Sequence, residues 1–145
     1  MARVFVSSVL AASPAKVWAR IRDFNAMPAW HPAFAESRIE NGEPSDRVGC
    51  VRDMRLRNGD RVRERLVGLS DFDLFFSYAI LESALGVENY VATVRLTPVT
   101  DGERTFIEWS AEFDCPAERE AEIVNTLAGG VFQGGFDSLK RHFGG

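Results

Sequence analysis

His31, Arg52 and Glu64 are the residues of this sequence whose chemistry and setting point to work beyond folding. His31 lies in "AWHP", between Trp30 and Pro32. A neutral imidazole at a cavity mouth, titrating near pH ~6.5, is a ready general base. The plainer alternative is a loop histidine that satisfies backbone groups beside a packed tryptophan, and no nucleophile or second base adjoins it. Arg52 and Glu64 sit in "CVRDMRLRNGDRVRERLVGL", residues 50–69, where charged and apolar residues alternate. Met54, Leu56, Val62 and Leu66 occupy even positions, so the even face of both strands is the buried one, and Arg52 and Glu64 share it. Such a guanidinium can orient a carbonyl or enolate, and a buried carboxyl with a raised pKa can shuttle a proton. The competing reading is an ion pair that satisfies itself, since charges on a core face are costly to desolvate.

The element that must position this pair is a hairpin. A two-residue Asn58-Gly59 turn would pair odd with even residues and turn one strand inside out. A three-residue loop, Arg57-Asn58-Gly59, instead sets 56 opposite 60, 54 opposite 62 and 52 opposite 64, with Gly59 in the left-handed position. Arg55 then opposes Arg61 on the outer face, near Asp53, Arg63 and Arg65. Turn chemistry bounds further strands at 35–41, 48–56, 60–70, 73–82, 89–98 and 104–114, after a first strand over 2–10. Parity assigns Phe76, Tyr78 and Ile80, Tyr90 to Leu96 at even positions, and Ile107, Trp109, Ala111 and Phe113 to the inner face. Ser13-Pro14 opens a short helix carrying Val17, Trp18 and Ile21, and "NAMPAWHP" forms a second short helix or turn. After Cys115-Pro116 one long helix is expected, with a stripe through Val124, Leu127, Val131, Phe132, Phe136 and Leu139. Gly129-Gly130 and Gly134-Gly135 interrupt it, which predicts a close backbone approach, a kink or vacant space.

Bulk properties narrow the function classes. The chain has 145 residues, one domain's worth, with a net charge of −4 that offers no field for a polyanion. Arg55, Arg57, Arg61, Arg63 and Arg65 form a stripe, but carboxylates lie nearby and no aromatics are interleaved for base stacking, so nucleic acid is not expected as a partner. No apolar run is long enough for a membrane span. The opening "MARVFVSSVLAASPAKVW" superficially resembles a secretory signal, yet its alternation reads as a strand and places the protein in the cytoplasm. Cys50 and Cys115 are read as two buried free thiols, no metal-ligand spacing occurs, and "GGVFQGG" lacks the lysine of a phosphate loop. No metal or cofactor is called for. With 11 Phe, 3 Trp and 2 Tyr, the aromatic volume fills a thick core or walls an apolar cavity.

In this order, "SPAKVWARIRDFNAMPAWHP", "GCVRDMRL", "RVRERLVGLSD", "SYAI", "ENYVATVRLTP" and "IEWSAEF" resemble the polyketide cyclase/dehydratase-like branch of the SRPBCC superfamily, which includes the START lipid-transfer domains and the major birch pollen allergen. The resemblance spans the chain and implies an α+β helix-grip fold. In it a curved seven-stranded antiparallel sheet wraps a long carboxy-terminal helix, with two short helices after the first strand and an apolar cavity between. It also implies binding of a hydrophobic small molecule, lipid-like or aromatic. On that view Trp30, Met54, Tyr78, Ile80, Tyr90, Trp109, Phe113, Phe132 and Phe136 supply apolar walls, while Arg52, Glu64 and His31 read a polar end. The alternative is a cofactor-free cyclase or dehydratase using Glu64, Arg52 and His31 as catalytic groups. A third class is a protein–protein interaction module.

Overall fold

The computed structural model describes residues 1–144. Strands β1 (Ala2–Leu10), β2 (Phe34–Ile39), β3 (Val51–Leu56), β4 (Arg61–Ser70), β5 (Phe75–Glu82), β6 (Glu88–Val99) and β7 (Arg104–Asp114) form one antiparallel sheet in the order β1-β7-β6-β5-β4-β3-β2. The period-two alternation decides its faces: Tyr90, Ala92, Val94 and Leu96 of β6, and Ile107, Trp109, Ala111 and Phe113 of β7, are all buried. Between β1 and β2 lie α1 (Pro14–Ile21) and α2 (Met27–Trp30). Ser13 caps α1 by accepting from the Lys16 N–H, Pro14 occupies its first turn, and Val17, Trp18 and Ile21 are its buried face.

The β3–β4 hairpin takes the bulged three-residue loop. Arg52 opposes Glu64, Met54 opposes Val62, and Arg55 opposes Arg61. Gly59 adopts φ +96°, and the Leu56 N–H donates to Asp60 O at 2.8 Å. On the outer face the arginines are matched by carboxylates. Arg61 donates to both oxygens of Asp53 at 2.9 and 2.8 Å, Arg63 to both of Glu40 at 2.6 and 2.9 Å, and Arg55 lies 3.4 Å from Glu36. These bonds hold Asp53 and Glu40 below the ordinary carboxylate range. The regular ladder of β3 begins at Val51 rather than at 48: Gly49 takes φ +99°, and Gly49 and Cys50 together face Leu66 of β4, the Gly49 N–H donating to Leu66 O at 2.8 Å and the Leu66 N–H to Cys50 O at 2.9 Å.

The expected long carboxy-terminal helix is present as one continuous run from Glu120 to Phe143, and its middle turns wind as a π-helix. A 3₁₀ turn (Ala117–Arg119) leads into α3 (Glu120–Asn125), a π-helical stretch (Thr126–Gln133) and α4 (Gly134–Phe143). Glycines are weak α-formers, and Gly129 and Gly130 sit mid-stretch with no other atoms crowding them. The Gly134 N–H accordingly reaches Gly129 O, five residues back. Gly135 has a different reason. A Cβ there would stand 3.0 Å from His31 Cδ2, 3.0 Å from Trp109 Cζ3 and 3.1 Å from Trp30 Cζ3, so only a hydrogen fits where α4 crosses these rings. The buried face of this helical segment carries Ile123, Leu127, Phe132, Phe136 and Leu139. Of the two thiols expected to be buried, Cys50 is, but Cys115 is only half-buried, at the point where the chain leaves β7.

Candidate functional site

A cavity of about 200 Å³ lies between the inner face of β4–β6 and the π-helical stretch. Val62 and Glu64 of β4, Tyr78 and Ile80 of β5, Tyr90 of β6, and Leu127 and Val131 of the π stretch form much of its wall. Asn58, Asp60 and Arg61 from the hairpin end, with Ser83 to Leu85 between β5 and β6, frame its mouth. Parity explains why these strands contribute alternate residues. The π stretch supplies Leu127 and Val131 four residues apart, on one side of the helix.

The ion pair stands at the edge of this space. Arg52, 1% exposed, donates through Nε at 2.8 Å and Nη2 at 2.6 Å to the same oxygen, Oε1 of Glu64. Its Nη1 donates to Phe24 O at 3.0 Å, and its guanidinium lies 3.9 Å over the Phe24 ring and 4.9 Å over Tyr78. Arg52 is therefore fully engaged by protein and is absent from the cavity wall, whereas Glu64 lines it. Burial drives the Glu64 carboxyl above its ordinary pKa, against the pull of the Arg52 charge and its hydrogen bonds. Tyr78 accepts from Trp109 Nε1 at 3.0 Å, and burial likewise raises the phenols of Tyr78 and Tyr90.

His31 is an internal strut. Its Nδ1 accepts from the Ala33 N–H at 3.2 Å, which makes Nε2 the protonated nitrogen and the donor to Val131 O at 2.6 Å. The imidazole thus joins the end of α2 to the π stretch. Burial holds its pKa below the ordinary histidine value, and the Arg52 charge adds to the effect. His142, by contrast, is exposed near the chain end.

The structure separates the apolar wall residues singled out in the sequence into two groups. Tyr78, Ile80 and Tyr90 face the cavity with Glu64. Trp30, Met54, Trp109, Phe113, Phe132 and Phe136 are buried in packed core, away from the cavity wall. Trp109 stacks on Phe132 with ring centroids 4.5 Å apart and planes 13° apart, and Trp30 approaches it at 5.9 Å. Leu127 and Val131 belong to the helical stripe visible in the sequence, but Leu85 and Thr126 at the mouth carry no signal that distinguishes them from surface residues. Among the described residues no group of His, Cys, Asp and Glu is placed to hold a metal ion, and no helix is long and apolar enough to cross a membrane.

Comparison with known proteins agrees with this architecture. The protein XoxI of Bacillus cereus is 28% identical and superposes with a TM-score of 0.88 over 99% of this chain and 96% of that one. A protein of Thermobifida fusca is 27% identical, with a TM-score of 0.89 over 99% of this chain and 94% of its own. The major latex-like protein 151 of Panax ginseng shares only 14% identity but the same fold, with a TM-score of 0.79 over 97% of this chain and 96% of that one. The profile of a family described as "Polyketide cyclase / dehydrase and lipid transport" matches residues 1–144. With its helix-grip sheet and a match over nearly its whole length, this chain belongs to the polyketide cyclase/dehydrase and lipid transport family, within the SRPBCC superfamily.

Proposed function

We propose that this protein binds a small hydrophobic molecule, aromatic or lipid-like, in the cavity between β4–β6 and the π-helical stretch. The observation that carries this reading is an apolar space of about 200 Å³ whose wall bears one buried carboxylate. An engineered cavity of ~150 Å³ accepts benzene, and pockets for drug-sized molecules begin near ~300 Å³. The size therefore favours a one- or two-ring compound, or one end of a longer chain emerging between the hairpin and the β5–β6 connection. Titration of ¹⁵N-labelled protein with 2-naphthol tests it: saturable amide shifts are expected at Ile80, Tyr90 and Leu127. Replacing Ile80→Trp fills the space and should abolish them. Shifts that survive that replacement would place the probe elsewhere and refute the reading.

A second reading, a cofactor-free cyclase or dehydratase, draws support from the same carboxylate. Glu64 borders the cavity with its pKa raised, the condition under which a carboxylate accepts a proton from an activated carbon and returns it to a leaving hydroxyl. His31 has both nitrogens committed to backbone, so on this reading proton transfer falls to Glu64, with Arg52 fixing its orientation. Conversion of a poly-β-ketone by the wild type, lost in Glu64→Gln with binding retained, would favour it. Binding without conversion leaves the first reading standing.

A further inference from the structure

The charged group in the cavity wall selects among ligands by the hydrogen-bonding capacity it has left. Both bonds that Arg52 gives to Glu64 fall on Oε1. No hydrogen bond from the described residues reaches Oε2. Among the described residues, Arg20 Nε is the only side-chain polar atom sealed from solvent without a partner, so Oε2 keeps access to the cavity that Glu64 lines. A carboxylate oxygen only accepts, and an acceptor left unmatched when water is displaced is penalised.

The other polar groups fix what can meet it. Arg61, among the described residues the one cation lining the cavity, is spent on both oxygens of Asp53 at the outer face. Asp60 adds another carboxylate at the mouth. A ligand carboxylate would therefore enter beside Glu64 with no uncommitted cation to receive it, a like-charge arrangement that disfavours ionisation of both. A ligand ammonium at Glu64 would stand near the buried Arg52 charge and share its counter-ion. The hydroxyl of Tyr78 accepts from Trp109 and still has its own proton to give, and the hydroxyl of Tyr90 lines the same wall. A hydroxyl on the ligand can donate to Oε2 and accept from a tyrosine at once.

Resting on the reading of this cavity as a ligand site, we infer that its occupant presents a neutral hydrogen-bond donor, a phenol or alcohol hydroxyl or an amide N–H, to Oε2 of Glu64, and that carboxylate-ended ligands such as free fatty acids are excluded. The test uses matched probes: 2-naphthol, 2-methylnaphthalene and 2-naphthoate, titrated into ¹⁵N-labelled protein at neutral pH with amide shifts at Ile80, Tyr90 and Leu127 as the readout. 2-Naphthol should bind about tenfold more tightly than the methyl analogue, the usual effect of a hydrogen bond to a charged group, and 2-naphthoate should bind weakest. In the Arg52→Met/Glu64→Leu double variant the advantage of naphthol should vanish. If that variant fails to fold, the wild-type series alone decides. Equal affinity for all three, or tightest binding of naphthoate, overturns the donor requirement while leaving the cavity as a ligand site. Binding of none of them at these residues removes both.

Discussion

Substituting Gly135→Ala sets two opposing effects against each other. Alanine in place of glycine in a helix interior gains up to ~1 kcal/mol of intrinsic helix stability. At Gly135 the added methyl would lie 3.0 to 3.1 Å from ring carbons of His31, Trp109 and Trp30. None of these is the free end of a flexible chain. His31 is fixed by bonds to Val131 and Ala33, Trp109 is stacked on Phe132 and bonded to Tyr78, and Trp30 is buried against Trp109. Overpacking a well-filled core costs about 1–3 kcal/mol, and contact with three rings at once puts this site in the upper part of that range. The net expectation is a loss of about 1–2 kcal/mol. In a domain of this size that lowers the melting temperature by about 2–8 °C. Gly130→Ala is the control: its methyl meets open space, so the same helix gain should leave the protein unchanged or up to ~1 kcal/mol more stable. Urea denaturation with both variants, followed by far-UV circular dichroism, measures the difference. Gly135→Ala as stable as wild type would show that the rings yield and that this crossing does not seat α4.

The buried pair makes its own prediction. Glu64→Gln leaves the Arg52 charge without a counter-ion and should cost about 3 kcal/mol in urea denaturation, whereas Arg52→Met/Glu64→Leu should restore most of that loss. Equal stability of the single variant and wild type would mean that Phe24 O and the two rings suffice to hold the guanidinium. His31 predicts a pH dependence. Its folded pKa is below the unfolded one, so between the two values the unfolded chain binds a proton that the folded chain refuses. The stability from this group is complete above pH ~6.5 and declines as pH falls through that value toward the folded pKa, by at most ~1.4 kcal/mol per pH unit. His31→Gln should remove that slope between pH 7 and 5; an unchanged slope would assign it to other groups.

Much of this arrangement was legible because β-sheet parity is strict. The phase of Met54, Leu56, Val62 and Leu66 selects the loop, and the loop places Arg52 opposite Glu64. The partner of His31 was not legible, since Val131 is 100 residues away and the bond depends on where the π stretch lies. Nor could sequence divide the aromatic residues between cavity and packed core. Trp109, Phe132 and Phe136 face inward as parity and helical spacing require, but the close crossing at Gly135 brings the helix down onto them and closes that end. The vacant volume falls instead beside Ile80 and Tyr90, where the π stretch contributes Thr126, Leu127 and Val131 to the wall. The glycine pairs were visible as a signal, while their separate consequences depend on neighbours from other elements.

The most direct measurement is the set of intermolecular nuclear Overhauser effects between bound 2-naphthol and the methyl groups of the protein. Contacts are expected from the naphthol ring to Val62, Ile80 and Leu127, which line the cavity. Contacts confined to the outer groove at Phe5 and Val91, or a saturated complex with none to the cavity methyls, would contradict that placement.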